Sequence, residues 1–302
     1  MINITRCFQD IRLFKAVTGT TYAEFNALLP EFERTFADQT QRTRRIRRRQ
    51  DGGGRHHTLL TVREKLFFIL FYVKCYATFD VLGWLFDVDR AQPQRWVKAY
   101  LPLLEGALGR KAVLPKRKID SVEAFLRLFP HIKEVFVDGT ERPIRRPTGK
   151  AAQKPYYSGK KKGHRIKNIL MSDSTKRILV LSDTFFGHIH DKTGANTHNL
   201  FGPIPSDVLA HLDLGFFGVP KERPDGMFSL PEKKPKGRAL PDDAKARNRE
   251  KARRRVLVEH ALGGVKRFRA VTDVFRNNLK KYADRIMLVA CGLWNLHVEM
   301  AA

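Results

Sequence analysis

Apolar residues recur at three- and four-residue steps between Thr21 and Phe36, at Phe25, Leu28, Leu29, Phe32 and Phe36. That spacing predicts an amphipathic helix opening on a threonine. From Thr61, Leu66, Phe67, Leu70, Phe71 and Val73 supply one apolar face of a second helix. A short helix should follow from about Thr78 to Phe86, and another from about Arg90 to Leu104. Asp89 is placed to cap the latter, and Pro93 falls in its first turn, where a missing amide does no harm. Three short helices with tight connections, the last presenting Arg90, Gln92, Gln94, Arg95 and Lys98, resemble a helix-turn-helix unit, with a plain three-helix bundle as the alternative.

After the basic connector Lys116-Arg117-Lys118 the pattern changes to alternating strands. Glu134 to Asp138 reads as a short apolar strand ending in a carboxylate. Arg165 to Met171 and Arg177 to Asp183 read as two strands joined by a hairpin at Ser172 to Lys176. Asp191 to Leu200 is expected as a helix, and Val208 to Asp213 as a fourth strand, again ending in an acid. Pro220 to Pro241, rich in Pro, Lys and Gly, reads as a basic loop. A long helix is expected from Asp242 to about Leu262, with Gly263-Gly264 ending or loosening it. A final helix from about Leu279 to Met300 has the apolar face Ile286, Val289, Ala290, Leu293 and Leu296. No internal repeat is visible.

Three hairpin-forming strands, a helix, another strand and then helices follow the order of the ribonuclease H-like fold. The expected class is therefore α/β: a ribonuclease H-like mixed sheet flanked by helices, with an N-terminal all-α, helix-turn-helix-like domain. The expected parts are an N-terminal helix and basic arm (1–58), the helix-turn-helix-like domain (59–118) and the mixed-sheet domain (119–302).

Charge narrows the function. Lys and Arg number 57 against 31 Asp and Glu, a formal net charge of +26. So large an imbalance calls for a polyanionic partner, nucleic acid first and an acidic membrane surface second. Arg42, Arg44, Arg45, Arg47, Arg48 and Arg49 crowd into eight residues ahead of Gly52-Gly53-Gly54. The single sign of this run favours an arm that tracks phosphates, with Arg45 and Arg47 among its contacts, over a solvated linker. The apolar runs Leu66 to Val73 and Met287 to Leu293 fall well short of the roughly 20 residues that span a bilayer. The opening residues lack the apolar stretch of a signal peptide, so the expected setting is the cytoplasm, on the nucleoid. Cys7, Cys75 and Cys291 are widely separated and form no C-x-x-C pair, so they read as reduced packing residues.

The candidate chemistry lies in three acids: Asp138 and Asp213 at strand ends and Glu259 on the late helix. Around Glu259 the spacing is R-x3-E-x6-K, with Arg255 and Lys266. At about 100° per residue the three side chains fall within roughly 40° of one another on one helical face. Taken singly, each feature has an ordinary alternative: an i,i+4 surface ion pair for Arg255 and Glu259, a hairpin turn for Asp138-Gly139, a turn cap for Asp213. Taken together, three carboxylates suit two hard divalent cations about 3.5–4 Å apart, which activate a water or hydroxyl and stabilise the leaving oxygen of a phosphodiester.

Asp138-Gly-Thr-Glu-Arg-Pro-Ile, Tyr156-Tyr-Ser-Gly-Lys-Lys-Lys-Gly-His-Arg-Ile-Lys167, Gly187-His-Ile-His-Asp191-Lys, Asp213-Leu-Gly-Phe-Phe-Gly218, Lys233-Lys-Pro-Lys-Gly-Arg238 and Arg255-x3-Glu259-x6-Lys266-Arg-Phe stand in one order. In that order they resemble the DDE transposases of bacterial insertion-sequence family five, over about residues 60–280. The resemblance implies that Asp138, Asp213 and Glu259 are the first, second and third acids, holding Mg²⁺ or Mn²⁺, with Arg255 and Lys266 as partners in the last motif. It further implies cleavage at the terminal inverted repeats of the element and joining of the freed 3′-hydroxyl to target DNA by a homodimer or larger synaptic assembly. The chain departs from related enzymes in having Ala252 where a Tyr often stands three residues before the motif's Arg. Asp191, in a His-Asp-Lys motif, competes with Asp213 as second acid. Asp213 is preferred because the fold order wants that acid after the fourth strand.

Tyr156 to Lys167 combines two aromatics with Lys160, Lys161, Lys162, Arg165 and Lys167, and reads as a DNA-backbone contact or, more simply, as a solvated turn into a strand. The glycine–lysine run lacks the spacing of a nucleotide-binding loop. His188 and His190 have no cysteine neighbours and are expected to hydrogen-bond rather than bind zinc. The chain is thus expected to be a metal-dependent DNA transposase. The alternatives are a nuclease of the same fold that cuts without joining and a domesticated DNA-binding regulator with an idle core.

Overall fold

The structure, a computed structural model, describes residues 2–44, 58–277 and 281–301. Its elements in chain order begin with α1 (Ile4–Gln9), α2 (Ile11–Thr18), α3 (Tyr22–Arg44), α4 (Val62–Cys75), α5 (Phe79–Phe86), α6 (Ala91–Arg110) and α7 (Val122–Leu128). Then come β1 (Glu134–Pro143), α8 (Lys150–Gln153), β2 (Tyr157–Ser158), β3 (Gly163–Ser172), β4 (Ile178–Leu181), β5 (Phe185–Phe186), α9 (Asp191–Thr197) and β6 (Leu209–His211). The last are α10 (Val219–Glu222), β7 (Met227–Ser229), α11 (Asp242–Lys266), α12 (Arg269–Thr272) and α13 (Tyr282–Ala301). The chain forms two compact units: Met1–Leu114 with Lys266–Asp273 and Arg285–Ala302, and Pro115–Val265 with Val274–Asp284.

In the helical unit, local side-chain chemistry sets the helix starts. Thr21 Oγ1 accepts from the Glu24 amide at 3.2 Å while Glu24 Oε2 accepts from the Thr21 amide at 2.9 Å. Thr61 and Glu64 repeat this reciprocal cap at 3.1 and 2.9 Å, and Asp89 Oδ1 accepts from the Ala91 amide at 2.8 Å. Asn3 and Asp10 cap α1 and α2, two short helices that periodicity did not predict. The expected single apolar face of α4 is exceeded: every residue from Lys65 to Val73 is buried, because α2, α3, α6 and α12 all pack on this helix. Phe8, Phe14, Phe25 and Phe67 form one ring cluster and Phe68, Phe86 and Trp96 another. Each fully buried ring contributes roughly 1.5–3 kcal/mol relative to exposure. Lys65 offsets part of the cost of burial by donating to the Leu59 carbonyl at 2.9 Å, and desolvation still lowers its pKa.

The second unit is built on a mixed sheet of order β2-β3-β1-β6-β7, with β4 and β5 also pairing with β3. β1 is antiparallel to β3 and parallel to β6, and β6 is parallel to β7. This is the order expected of the ribonuclease H-like sheet. The predicted β3–β4 hairpin is present, its turn held by Asp173 Oδ1, which accepts from the Thr175 amide and hydroxyl and the Arg177 amide.

Several boundaries differ from expectation. β1 does not end at Asp138 but runs on to Pro143, because Asp138–Pro143 pairs residue for residue with Leu170–Arg165. β6 stops at His211, so Asp213 lies two residues beyond the strand and caps a short 3-10 turn, with Oδ1 accepting from the Gly215 amide at 2.8 Å. α9 ends at Thr197. The basic segment Pro220–Pro241 contains β7 and most of α10. α11 continues through Gly263-Gly264, since burial of Ala261, Leu262 and Val265 outweighs the low helix propensity of two glycines.

Candidate active site and nucleic-acid interface

The pleat of β1 sorts the site. Val135 and Val137 point into the apolar core with Ile169, Met171, Ala210 and the α9 residue Ala195. Glu134, Phe136 and Asp138 therefore share the opposite face. On that face His211 stacks on Phe136, ring centroids 4.5 Å apart, and its Nε2 lies 3.0 Å from Glu134 Oε2. Burial pushes the His211 imidazole below its ordinary pKa, against the Glu134 hydrogen bond that raises it. Its Nδ1 is buried without a hydrogen-bond partner.

Gly139 faces the other way, toward Asp191. A Cβ on Gly139 would meet the Asp191 carboxylate at 3.1–3.3 Å, and a Cβ on Gly215 would come within 2.8 Å of Asp213 Oδ1 and 3.2 Å of Asp191 Oδ2. Asp191 and Asp213 thus border one space beside Gly215, and Asp191 covers Gly139, whereas Asp138 leaves β1 on the opposite face. The two glycines keep the space beside the carboxylates clear.

Asp191 is anchored. Lys167 Nζ, from β3, donates to Asp191 Oδ1 at 3.1 Å and to the Ile189 carbonyl at 2.9 Å, and lies 3.6 Å from Glu141 Oε1. This corrects the grouping of Lys167 with DNA-backbone contacts: its ammonium is buried in an ion cluster. Arg165 is half-buried, with Nε 3.9 Å from Glu141 Oε2, so it too is turned toward Glu141. No local pattern along the chain signals this cluster, because Asp191 and Glu141 lie 24 and 26 residues from Lys167.

α11 carries the last motif. Arg254 reaches Glu134 at 3.9 Å, and Arg254 and Arg255 both act electrostatically on His211, which sets α11 against the Asp138 face of the sheet. Glu259 is exposed, about 6 Å of helix beyond Arg255. Lys266 is the last residue of α11 and is exposed. Among the described residues, no three His, Cys, Asp or Glu side chains stand close enough to hold one ion together. In kind, carboxylate oxygens such as those of Asp138, Asp213 and Glu259 suit a hard divalent cation, and the gap beside Gly215 that an added Cβ would narrow is bordered by Asp213 and Asp191.

The remaining basic candidates divide. Arg90, Gln94, Arg95 and Lys98 are exposed on or just before α6, with Arg90 3.4 Å from Asp80. Lys160, Lys161 and Lys162 are exposed in the β2–β3 turn. Arg45 and Arg47 lie outside the described residues. His188 hydrogen-bonds the Pro155 carbonyl through Nδ1 at 2.6 Å, as expected of a structural histidine. No helix among the described residues is long and apolar enough to cross a membrane.

A helix-turn-helix-like unit and a mixed-sheet domain with acids on and just past its central strands correspond in kind to an endonuclease class that acts on DNA. The description "DDE superfamily endonuclease" matches residues 137–295, and "Helix-turn-helix of DDE superfamily endonuclease" matches residues 57–109. A probable transposase for insertion sequence element IS702 of Microchaete diplosiphon is 27% identical over 292 residues, covering 96% of each chain. No solved structure matches. The chain belongs to the DDE superfamily endonucleases, as a DDE transposase.

Proposed function

We propose that this protein is the transposase of an insertion sequence of family five, binding the element's terminal inverted repeats, cutting there and joining the freed 3′-hydroxyl to target DNA. Residues 59–118 read the ends, with Arg90, Gln94, Arg95 and Lys98 on the recognition side and the arm within 1–58 following the backbone through Arg45 and Arg47. Residues 119–302 carry out the chemistry. The observation that supports the reading is the parallel β1–β6 pairing of Phe136 with His211, two residues past which Asp138 and Asp213 each lie, together with Arg254 of α11 reaching Glu134.

Asp138, Asp213 and Glu259 would hold Mg²⁺ or Mn²⁺, two ions in all, with Glu259 joining the aspartates when metal and DNA bind. Metal bound there supplies Lewis-acid stabilisation of the charge that develops on the phosphodiester. Asp191, held by Lys167, lines the site as a supporting carboxylate. Arg255 and Lys266 hold DNA phosphates beside Glu259, so that water, and later the 3′-hydroxyl, is positioned for direct attack on phosphorus. Two ends require a homodimer or larger synaptic assembly, working on the nucleoid in the cytoplasm.

The test is to incubate full-length protein with a plasmid carrying the gene's flanking DNA and Mg²⁺ or Mn²⁺. End-specific 3′-hydroxyls and joined products are expected. Nicks without joining would replace this reading by a nuclease, and salt-sensitive binding without cleavage would replace it by a DNA-binding regulator.

A further inference from the structure

The segment following β1 folds back to form an open cleft of about 660 Å³ lined by Arg146, Lys150, Lys154, Tyr157, Lys162 and His164, with no carboxylate in its wall. It lies in the mixed-sheet unit and is separate from the acids. Its volume falls within the roughly 300–1,000 Å³ of sites that take a nucleotide-sized ligand. The Gln153 amide donates to the Pro147 carbonyl at 2.9 Å, which ties α8 to the chain leaving β1 and fixes one wall. The two tyrosines of the β2 hairpin divide their work: Tyr156 packs edge-on against Phe186 at 5.0 Å, whereas Tyr157 is 48% exposed. Tyr157 touches His164 edge to face, at 5.9 Å and 71°. Tyr157 thus pairs with His164 across β2 and β3 while nearly half of its surface stays open among the cations.

Resting on the transposase reading above, we propose that this cleft takes one unpaired nucleotide of the DNA substrate, its base stacked on Tyr157 and its phosphates held by Arg146, Lys150, Lys154 and Lys162. A duplex backbone alone would need only cations on a convex surface. A concave site with an aromatic wall suits a base, and stacking tolerates any base because each has a π face. The β3 register gives its distance from the chemistry. Leu170 pairs with Asp138, and His164 lies six residues earlier on the same strand. Six residues span roughly 20 Å, or about six nucleotides at about 3.4 Å each. The cleft therefore opens the DNA some six nucleotides from the scissile phosphate.

The experiment uses full-length protein and an element-end duplex bearing an unpaired 2-aminopurine at four to eight positions from the cut, beside the same duplex fully paired. Wild type and Tyr157→Phe should quench the fluorophore, most strongly near position six. Tyr157→Ala should lose the quench and bind the DNA with the unpaired base about tenfold more weakly, while binding the fully paired duplex as before. The double variant Lys150→Ala, Lys154→Ala should flatten the salt dependence of binding by about two phosphate contacts. A Tyr157→Ala protein with unchanged quench and affinity would overturn the proposal. So would a wild type that binds and cuts its ends with no quench at any position. A wild type that neither binds nor cuts would instead overturn the transposase reading on which the proposal rests.

Discussion

Replacing Lys167 with methionine removes a cation shared by Asp191 and Glu141. Its Nζ lies 3.1 Å from the first carboxylate and 3.6 Å from the second, and the three side chains are 10%, 22% and 12% exposed. At an effective dielectric of about 20, each pair is worth about 5 kcal/mol of gross attraction, most of it offset by desolvation. Breaking a fully buried pair costs about 3–5 kcal/mol, and the partial exposure here lowers the expected loss to about 2–3 kcal/mol. A unit of this size loses about 2–4 °C of melting temperature per kcal/mol, so the variant should melt about 4–12 °C lower. Urea unfolding followed by circular dichroism at pH 7.5 measures the loss. Adding Glu141→Gln removes the carboxylate that, among the described residues, is left with only Arg165, 3.9 Å away, and should recover part of the loss. A loss below about 0.5 kcal/mol, or no recovery in the double variant, would refute the reasoning that Lys167 is a buried structural cation rather than a surface contact.

Two further outcomes follow from the same geometry. Gly215→Ala sets a methyl 2.8 Å from Asp213 Oδ1 and 3.2 Å from Asp191 Oδ2 without straining the backbone, so DNA cleavage should fall at least tenfold while the melting temperature moves by less than about 2 °C; full activity would mean that the gap beside the carboxylates is not used. His211 is buried with its pKa below the ordinary 6.5, so the unfolded chain binds a proton more readily than the folded one. Its contribution is complete above pH 6.5 and is lost as pH falls from there toward the folded value. Unfolding titrations from pH 8 to 5 should show this slope in wild type and lack it in His211→Gln.

What could be read from the chain was what short-range chemistry controls. The caps Thr61 with Glu64, Thr78 and Asp89 stand beside the helices they start, and the β3–β4 hairpin is announced by Asp173 and its neighbours. That Asp138 lies on a strand and Asp213 just past one was legible because each follows an apolar run. The extension of β1 past Gly139 was not, because its polar residues find partners far along the chain: Arg142 donates to Asn168 at 2.7 Å and to the Ala283 carbonyl at 2.8 Å. Lys167 was misread for the same reason, since a lysine in a basic run looks solvated until Glu141 and Asp191 fold over it. Gly263-Gly264 reads as a helix end until the burial of Val265 beyond it is known. That return of α11 along the Asp138 face is also what gives the R-x3-E-x6-K spacing its setting.

The most direct test of the central claim measures Mg²⁺-dependent cleavage at the element ends by wild type, Asp138→Asn, Asp213→Asn, Glu259→Gln and Asp191→Asn, each first shown to be folded and to bind the ends. The account predicts that the first three variants lose cleavage by at least a thousandfold while still binding, about 4 kcal/mol of transition-state stabilisation, and that Asp191→Asn retains measurable activity. Normal cleavage by Glu259→Gln, or loss in Asp191→Asn with Asp213→Asn still active, would contradict it.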